Sequence, residues 1–296
     1  MNPYFVSIII PTYNDWIRLS KCLNALAHQN YPKEKFEIIV ANNNPDDHIP
    51  DEYFIPENCV VITEPKPGSY AARNAALKLA KGEIIGFTDS DCIPDNNWIK
   101  NAVDYFNTNK TCSRIAGNVS IFFETVKPTT AQLYDKLYAF NQKGYVNSSG
   151  TSVTANLFTY KNVFDKVGYF DEALMSGGDF LWGTIAHKFG YKVEYVEDVI
   201  VRHPARDSLK ELLKKEKRVG GSQAIFLKDK SNTILNVLKF LKQLRPRLGE
   251  IKFIYSKGKG LTTMNKLYIY LLRHYLIGIR AYAKLRVQMG KKPNRA

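Results

Sequence analysis

The sequence has 296 residues, of which 45% are hydrophobic, and it carries a formal net charge of +14. That length provides one large core or two modest domains. The four cysteines show no CxxC spacing, which argues against a disulfide framework or a zinc site and favours buried free thiols in a reducing compartment. The start of the chain lacks the pattern of a signal peptide, and no stretch reaches the ~18–20 uninterrupted apolar residues of a membrane span. We therefore expect a cytoplasmic protein.

The first hundred residues alternate between strand patterns and helical patterns. A continuous apolar run at 5–10 predicts a strand covered on both faces. Asn14 or Asp15 can then cap a helix. The apolar positions of that helix are Ile17, Cys22, Leu23 and Leu26. The other elements predicted here are strands at 36–41, 60–63 and 83–88 and a helix from Pro67 to about Lys81. This order predicts a doubly wound, mostly parallel α/β sheet.

Polar loops follow three of these strands, at 11–15, 42–47 and 89–92. Ligands of such sheets bind beyond the carboxyl ends of the strands, so the organisation itself predicts a site there. The pattern after residue 110 is less regular. The elements predicted in it are strands at 114–124 and 152–160 and a helix at 178–189.

The segment Asp89-Ser90-Asp91 stands at the end of the strand at 83–88. Two carboxylates one residue apart can converge on Mg²⁺ or Mn²⁺, which usually bind through one or two carboxylates and a substrate phosphate. Such an ion stabilises a departing diphosphate. A solvated turn is the alternative, but the position at the carboxyl end of a strand favours the metal site.

A glycine-containing helix start precedes this acidic pair, at Gly68-Ser-Tyr-Ala-Ala-Arg73-Asn74. A helix N-terminus can approach phosphate, and Arg73 can pair with it. A plain helix cap with a surface arginine is the alternative. The sequence contains neither GxGxxG nor GxxxxGK[ST], which excludes a dinucleotide fingerprint and a P-loop.

Together, several segments resemble glycosyltransferase family 2, a large family of inverting enzymes with the GT-A fold. The segments that carry the resemblance are Val6-Ser-Ile-Ile-Ile-Pro-Thr-Tyr-Asn14, Pro67-Gly-Ser-Tyr-Ala-Ala-Arg-Asn74, Phe87-Thr-Asp-Ser-Asp91, Thr154-Ala-Asn-Leu-Phe158, Val167-Gly-Tyr-Phe-Asp-Glu172 and Ser176-Gly-Gly-Asp-Phe-Leu-Trp182. The resemblance implies a GT-A catalytic domain over 1–204, with a nucleotide-sugar-binding half at 1–110 and an acceptor half at 111–204. The basic region at 205–296 would then be a C-terminal helical extension.

The resemblance also implies roles for individual residues. Asp89 and Asp91, with Ser90 between them, would hold the nucleotide diphosphate through Mn²⁺ or Mg²⁺. Asp179 would be the general base, and His203 would add a metal or phosphate contact. The remaining implied donor-binding residues are Pro11, Tyr13 and Asn43 at the nucleobase and ribose, and Arg73 at the base or phosphate.

Two positions depart from the family pattern. Asn42-Asn43-Asn44 stands where the family often has Asp-Asp or Asp-Asn, and an amide both donates and accepts, so the base preference stays open. Gly178-Asp179 stands where it often has Glu-Asp. From the residues alone, Asp179 can take the proton of an acceptor hydroxyl or cap the following helix. His203 is as consistent with a structural contact as with a ligand.

The C-terminal region is strongly basic. Residues 205–296 contain 23 Lys and Arg against 5 Asp and Glu, a net charge of +18, which leaves −4 on residues 1–204. Lys266, Arg273 and Arg280 recur every seven residues in a Tyr-rich apolar stretch, which places them on one helix face. That helix can lie in a membrane interface with its cations toward anionic headgroups, or pack on the protein with a basic outer face.

The sequence thus predicts a metal-dependent inverting glycosyltransferase that moves a sugar from a nucleotide diphosphate, most readily a UDP-sugar, to an acceptor hydroxyl. Its acceptor would be a saccharide or lipid-linked chain in cell-surface polysaccharide or glycolipid synthesis, and its location peripheral on the inner face of the membrane. A nucleotidyltransferase of related fold is one alternative, although the first loop lacks the glycine-rich phosphate motif. A non-catalytic binder of an anionic polymer is the other, although no RNA or DNA motif is present and no nucleic acid is expected.

Overall fold

A computed structural model of the chain describes residues 4–226 and 233–293. The strands are β1 (Val6–Thr12), β2 (Phe36–Asn42), β3 (Cys59–Thr63), β4 (Ile84–Thr88), β5 (Ile93–Pro94), β6 (Arg114–Phe122), β7 (Asn156–Tyr160) and β8 (Val193–Pro204). The α-helices are α1 (Trp16–Ala27), α2 (Ser69–Leu79), α3 (Trp98–Thr108), α4 (Thr130–Tyr138), α5 (Gln142–Ser149), α6 (Asn162–Val167), α7 (Gly178–Lys188), α8 (Leu209–Phe226), α9 (Thr233–Gln243), α10 (Leu248–Lys257) and α11 (Thr263–Gln288).

All eight strands form one sheet in the order β3-β2-β1-β4-β7-β6-β8-β5. The first four strands along the chain are parallel to one another, and β7 joins β4 in the antiparallel sense. Every residue of β1 and β4 is buried, as expected for strands covered on both faces. The predicted α/β fold with a doubly wound, mostly parallel sheet is confirmed.

The predicted alternation of strands and helices is wrong between β2 and β3, where the chain forms no α-helix. The Asn42 amide binds the carbonyls of Asn44 and Asp47, which closes a turn directly after β2. Three prolines follow in the same connection, and proline supplies no backbone donor for a helix interior. These prolines are Pro45, Pro50 and Pro56.

Two further boundaries differ from the predictions. Ile17 lies on the exposed side of α1, because the buried face is set by Trp16 and Leu19, with Cys22, Leu23 and Leu26 as predicted. The strand predicted at 152–160 begins only at Asn156, because the side chain of Gln142 pairs with the backbone N–H and carbonyl of Val153.

The chain divides into two compact units, which are described separately. The sheet unit comprises residues 1–120, 140–173 and 178–203, and the helical unit comprises 121–139, 174–177 and 204–296. The helical unit therefore includes two segments from the part that the sequence assigns to the acceptor half. The division into functional domains at residue 204 stays a prediction.

The helical unit has an apolar core of its own. It is built from α4, α8, α10 and α11 and contains Ala131, Leu133, Tyr134, Leu212, Ile254, Ile269 and Leu276. Helices α8 and α11 lie closely together, since a Cβ at Gly220 would come within 2.3 Å of the carbonyl oxygen of Arg280. Among the described residues, no helix is long and apolar enough to span a bilayer.

Three of the five cations of α11 contact other helices of this unit. Arg280 pairs with the buried carboxylate of Glu216 on α8, and Arg273 lies 4.3 Å from the ring centroid of Tyr138 on α4. Lys266 lies 4.5 Å from the ring centroid of Tyr255 on α10. Arg273 and Arg280 bind groups inside the unit, so these two cations do not form the predicted basic outer face. Association of this helix with a membrane stays a prediction.

Candidate functional site

Predicted donor-binding side chains lie at the carboxyl ends of β1, β2 and β4. Pro11 is buried within β1, opposite Ala41 of β2, and fixes the backbone at this end of the sheet. Tyr13 follows and is exposed, so its ring is available to a flat ligand. Asn14 then adopts a left-handed conformation with a φ of 51°, which turns the chain away before α1 begins.

Asn43 holds the loop that leads into α2. Its amide nitrogen donates to the carbonyls of Glu64 and Lys66, both at 2.8 Å, and its Oδ1 accepts the N–H of Gly68 at 2.6 Å. Both amide hydrogens are thus used within the protein. A nucleobase at this position would find one remaining lone pair on Oδ1 but no free side-chain donor.

Arg73 projects from the first turns of α2 and is almost fully buried. Its guanidinium donates to Oδ1 of Asp89, at the end of β4, and to the Ser69 carbonyl at 3.3 Å. Its Nε is buried and has no hydrogen-bond partner among the residues that the structure describes. A buried guanidinium with an unsatisfied N–H can accept a further anionic group, such as a phosphate oxygen.

Asp91 and His203 lie together on the other side of the Asp89-Ser90-Asp91 turn. Oδ2 of Asp91 is 3.2 Å from Nε2 of His203, and the imidazole is buried against the ring of Phe140, with 4.6 Å between the ring centroids. Ser90, between the two aspartates, is half-buried. The structure therefore joins the end of β4 to β8 through this acid–imidazole contact.

The Asp91–His203 contact fits a divalent ion. Two neighbouring ligands at about 2.1 Å from an octahedral ion lie about 3 Å apart, close to the observed separation. Among the described residues, no group of three or more carboxylate, thiol or imidazole side chains can hold a metal by itself. Substrate phosphate oxygens would have to complete the coordination, as is usual for Mg²⁺. Asp89 is less suited to be a ligand, because one of its oxygens already accepts from Arg73.

Asp179 is the second residue of α7 and is buried within the sheet unit. It lies inside the helix rather than at the preceding cap position, so the interpretation as an N-cap is wrong. Its Oδ1 accepts from the Tyr70 hydroxyl and the Phe180 N–H, both at 3.0 Å, and its Oδ2 accepts from the Thr154 N–H at 3.3 Å. Burial raises the pKa of Asp179, and the Arg73 charge and these hydrogen bonds oppose that rise only in part.

Two partners of Asp179, Tyr70 and the backbone of Thr154, were not predicted from the sequence. Tyr70 is buried and precedes Arg73 by about one turn on α2. The distance from the centroid of its ring to Cζ of Arg73 is 5.7 Å. Both residues fall inside segments that carry the family resemblance. The helical spacing of Tyr70 and Arg73 was a usable signal, because residues three apart on a helix share a face.

The network therefore runs from Asp179 through Tyr70 and Arg73 to Asp89, with Asp91 and His203 beyond. Asn156, in another of the resembling segments, has a structural role. Its amide accepts from the indole of Trp98 and donates to the carbonyls of Asn118 and Val199. It thereby ties β7 to β6 and β8 behind the site.

Comparison with known proteins gives a consistent result. The family model of Glycosyl transferase family 2 matches residues 7–170, which is more than half of the chain. The glycosyltransferase AglE of Haloferax volcanii is 37% identical over 74% of this chain and 73% of its own length. A dolichyl N-acetyl-alpha-D-glucosaminyl phosphate 3-beta-D-2,3-diacetamido-2,3-dideoxy-beta-D-glucuronosyltransferase of Methanococcus voltae is 23% identical over 80% of this chain and 78% of its own length.

Solved structures share the fold. The mannosyltransferase PcManGT of Pyrobaculum calidifontis, in complex with GDP-Man and Mn²⁺, has a TM-score of 0.56 and 17% identity over 99% of this chain and 77% of its own. TarS residues 1–349 of S. aureus, in complex with UDP-GlcNAc, have a TM-score of 0.55 and 18% identity over 97% of this chain and 92% of their own. With the family match and the similarity to AglE, the conclusion is that this chain is a glycosyltransferase and belongs to glycosyl transferase family 2.

Proposed function

We propose that this glycosyltransferase transfers a sugar from a nucleotide diphosphate to an acceptor hydroxyl in one displacement, with inversion at the anomeric carbon. The observation that carries the proposal is the placement of a single buried carboxylate, Asp179, in one network with the Arg73–Asp89 pair. A single base that activates the acceptor needs no covalent intermediate, and one displacement inverts the centre.

Asp179 would accept the proton of the acceptor hydroxyl as the new bond forms. A hydroxyl is a poor nucleophile at neutral pH, so a carboxylate within hydrogen-bond reach accelerates its attack. The raised pKa of Asp179 makes this carboxylate a stronger base than an exposed aspartate. Its three donors fix the carboxylate in one orientation.

Asp91 and His203 would hold Mn²⁺ or Mg²⁺ together with the donor diphosphate. When bound, the ion would neutralise charge on the departing nucleoside diphosphate. Asp89 and Asp179 are two carboxylates near the Arg73 guanidinium, and Asp91 is a third on the same turn as Asp89, so a diphosphate needs an added cation to approach this site. Arg73 would contact the phosphates through its unsatisfied Nε.

The donor is proposed to be a UDP-sugar. Tyr13 and the neighbouring buried Pro11 would contact the base, while Asn43 would act mainly by shaping the loop before α2. Structural relatives contain both UDP-GlcNAc and GDP-Man, so the fold accommodates more than one base. Because Asn43 offers only an acceptor, it would favour a base edge that donates, such as the N3–H of uracil or the N1–H of guanine. Ser90 would line the donor side of the site.

The acceptor is proposed to be a lipid-linked saccharide or a growing cell-surface polymer. The relative from Methanococcus voltae is named for transfer to a dolichyl-linked sugar phosphate, and TarS is named for transfer to poly(ribitol-phosphate). Both names describe acceptors that carry phosphate. A location on the inner face of the membrane would suit either acceptor.

The test is a screen of UDP-, GDP- and dTDP-sugars with Mn²⁺, in which the released nucleotide is identified. Release of a nucleoside diphosphate supports sugar transfer, whereas release of pyrophosphate would indicate a nucleotidyltransferase. The anomeric configuration of the product, read by NMR, tests inversion. Retention of configuration would overturn the assignment of Asp179 as a base in a single displacement.

A further inference from the structure

Helix α11 has apolar side chains on its exposed side as well as on the side that packs in the core. At 100° per residue, Lys266, Arg273 and Arg280 fall on one side, where Arg273 and Arg280 bind groups inside the helical unit and Lys266 contacts the ring of Tyr255. The opposite side is exposed and, apart from Arg286 in the last turn, uncharged. Its residues are Met264, Leu267, Tyr268, Leu271, Tyr275 and Tyr282, each about half exposed. A helix in contact with water usually has charged and polar residues on its exposed side.

Helix α9, in the same unit, also has an exposed apolar side. Ile234, Leu238 and Leu241 lie on one side and are exposed, whereas the polar side chain of Asn236 is buried on the other. Two adjacent helices with outward apolar sides are not explained by isolated surface hydrophobics, which occur singly on most proteins.

The apolar sides of α9 and α11 meet. Leu244, at the end of α9, lies against Gly278, where an added Cβ would be 3.4 Å from the leucine Cδ2. Gly278 falls on the exposed side of α11, between Leu271 and Tyr282. Helix α10 contributes Leu248, Ile251 and Tyr255, all exposed. We call the exposed apolar residues of α9, α10 and α11 the outer apolar face.

The charge around the outer apolar face has one sign. Residues 233–293 contain 14 Lys and Arg and a single acidic residue, Glu250. That glutamate accepts from the Tyr138 hydroxyl at 2.7 Å and from Arg273 at 3.4 Å, so its charge is engaged inside the unit. Exposed cations on α9 and α10 and in the loops that follow them include Lys242, Arg245, Lys252 and Lys259. A second copy would bring the same positive charge to this face, whereas an anionic surface complements it.

We propose that the outer apolar face is a docking surface for an anionic lipid membrane. Helices α9 and α11 would lie in the plane of the interface, with the leucines and isoleucines in the acyl boundary and the tyrosines at headgroup level. The exposed lysines and arginines would contact the anionic headgroups. Helix α11 has 26 residues, a length of about 39 Å, but its five cations keep it from crossing the bilayer.

The experiment measures co-sedimentation of the full chain with vesicles of phosphatidylcholine alone or mixed with phosphatidylglycerol. We expect binding to the mixed vesicles that weakens as salt increases. Leu271→Glu and Leu238→Glu should each lower the partition coefficient about tenfold or more, because each puts a charge into the acyl boundary. The matched control is Leu79→Glu on α2, since Leu79 is 53% exposed and Leu271 is 54% exposed. Leu79→Glu adds the same charge and should bind like the wild type.

Vesicle binding requires neither donor nor acceptor, so its result is independent of the proposed reaction. Circular dichroism and thermal melting establish that each variant is folded. The proposal is overturned if the wild type does not co-sediment with anionic vesicles, or if both leucine variants bind as the wild type does. It is also overturned if light scattering shows a dimer that Leu271→Glu dissociates, because a second copy would then cover the face.

Discussion

The hydroxyl of Tyr70 donates a 3.0 Å hydrogen bond to Oδ1 of Asp179, and the same tyrosine ring occupies the space beside Gly178. A Cβ built at residue 178 would lie 2.8 Å from Cε2 of Tyr70, closer than real Cβ atoms approach. Residue 178, which precedes the base and is often acidic in the family, is therefore a glycine because a side chain there would collide with the Tyr70 ring. The protein supplies a hydroxyl to Asp179 where the resembling family often has a glutamate beside it.

We predict that Tyr70→Phe shifts the acid limb of the pH–rate profile to higher pH. Transfer requires ionised Asp179, so the rate falls as pH drops through its pKa. The Tyr70 hydrogen bond favours the ionised carboxylate and lowers its pKa, and its loss raises that pKa further above the ordinary aspartate value. The measurement is kcat/KM as a function of pH, in which the high-pH plateau should fall less than the acid side.

Tyr13→Phe is the matched control, because Tyr13 is exposed and makes no contact with Asp179 in the residues described. Its profile should keep the wild-type acid limb. An unshifted acid limb in Tyr70→Phe would contradict the assignment of Asp179 as the group that titrates.

A second prediction concerns the coupling of Gly178 and Tyr70. Gly178→Ala should displace the tyrosine ring and cost about 1–3 kcal/mol of unfolding free energy, as overpacking of a core does. In a Tyr70→Ala background the same substitution has room and should be nearly neutral. Urea unfolding of the four proteins gives the coupling energy directly. Additive effects of the two substitutions would show that the contact does not constrain residue 178.

A third prediction concerns the metal. His203→Gln should raise the Mn²⁺ concentration needed for half-maximal nucleotide binding by about tenfold or more, because it removes one of two neighbouring donors. Titration calorimetry with the nucleoside diphosphate, repeated over a series of Mn²⁺ concentrations, measures this without any turnover. Ser90→Ala, on the same turn, should leave the metal requirement unchanged. Equal metal requirements in His203→Gln and the wild type would restrict the imidazole to a structural contact with Asp91.

A fourth prediction concerns the cations of α11 that contact other helices. Glu216→Gln should destabilise the protein by about 2 kcal/mol, less than the ~3–5 kcal/mol of a fully buried pair, because the Arg280 side chain keeps 30% exposure. Lys266→Gln, which loses a contact with the ring of Tyr255, should cost less than about 1 kcal/mol. Chemical denaturation measures both. If Glu216→Gln were neutral, Arg280 would not be held inside the unit.

Much of the sheet unit follows from the sequence, because its signals are local. The apolar run before Pro11 and the acidic turn after Phe87 place β1, β4 and the site edge without reference to the rest of the chain. The loop after Asn42 is harder to predict, because its conformation depends on side-chain bonds from Asn42 and Asn43 to backbone groups further along the chain.

The partners of the marked residues could not be predicted. Asp89 and Asp91 are equivalent in sequence, yet Arg73 of α2 binds one and His203 of β8 contacts the other. Which face of α11 is buried also could not be predicted from the periodicity of its sequence. A seven-residue repeat places three cations on one face, but the acceptor that decides whether this face is inside is Glu216, on another helix.

The measurement that tests the account most directly compares donor binding with sugar transfer in two variants. With Mn²⁺, a UDP-sugar and a saccharide acceptor, the wild type should release UDP and form product. Asp179→Asn should bind the donor like the wild type, by calorimetry, and lose about 10²–10⁴-fold in transfer rate. Asp91→Ala should instead lose metal-dependent donor binding. Transfer at the wild-type rate by Asp179→Asn, or donor binding unaffected by Asp91→Ala, would contradict the proposed division of the site into a base and a metal–diphosphate centre.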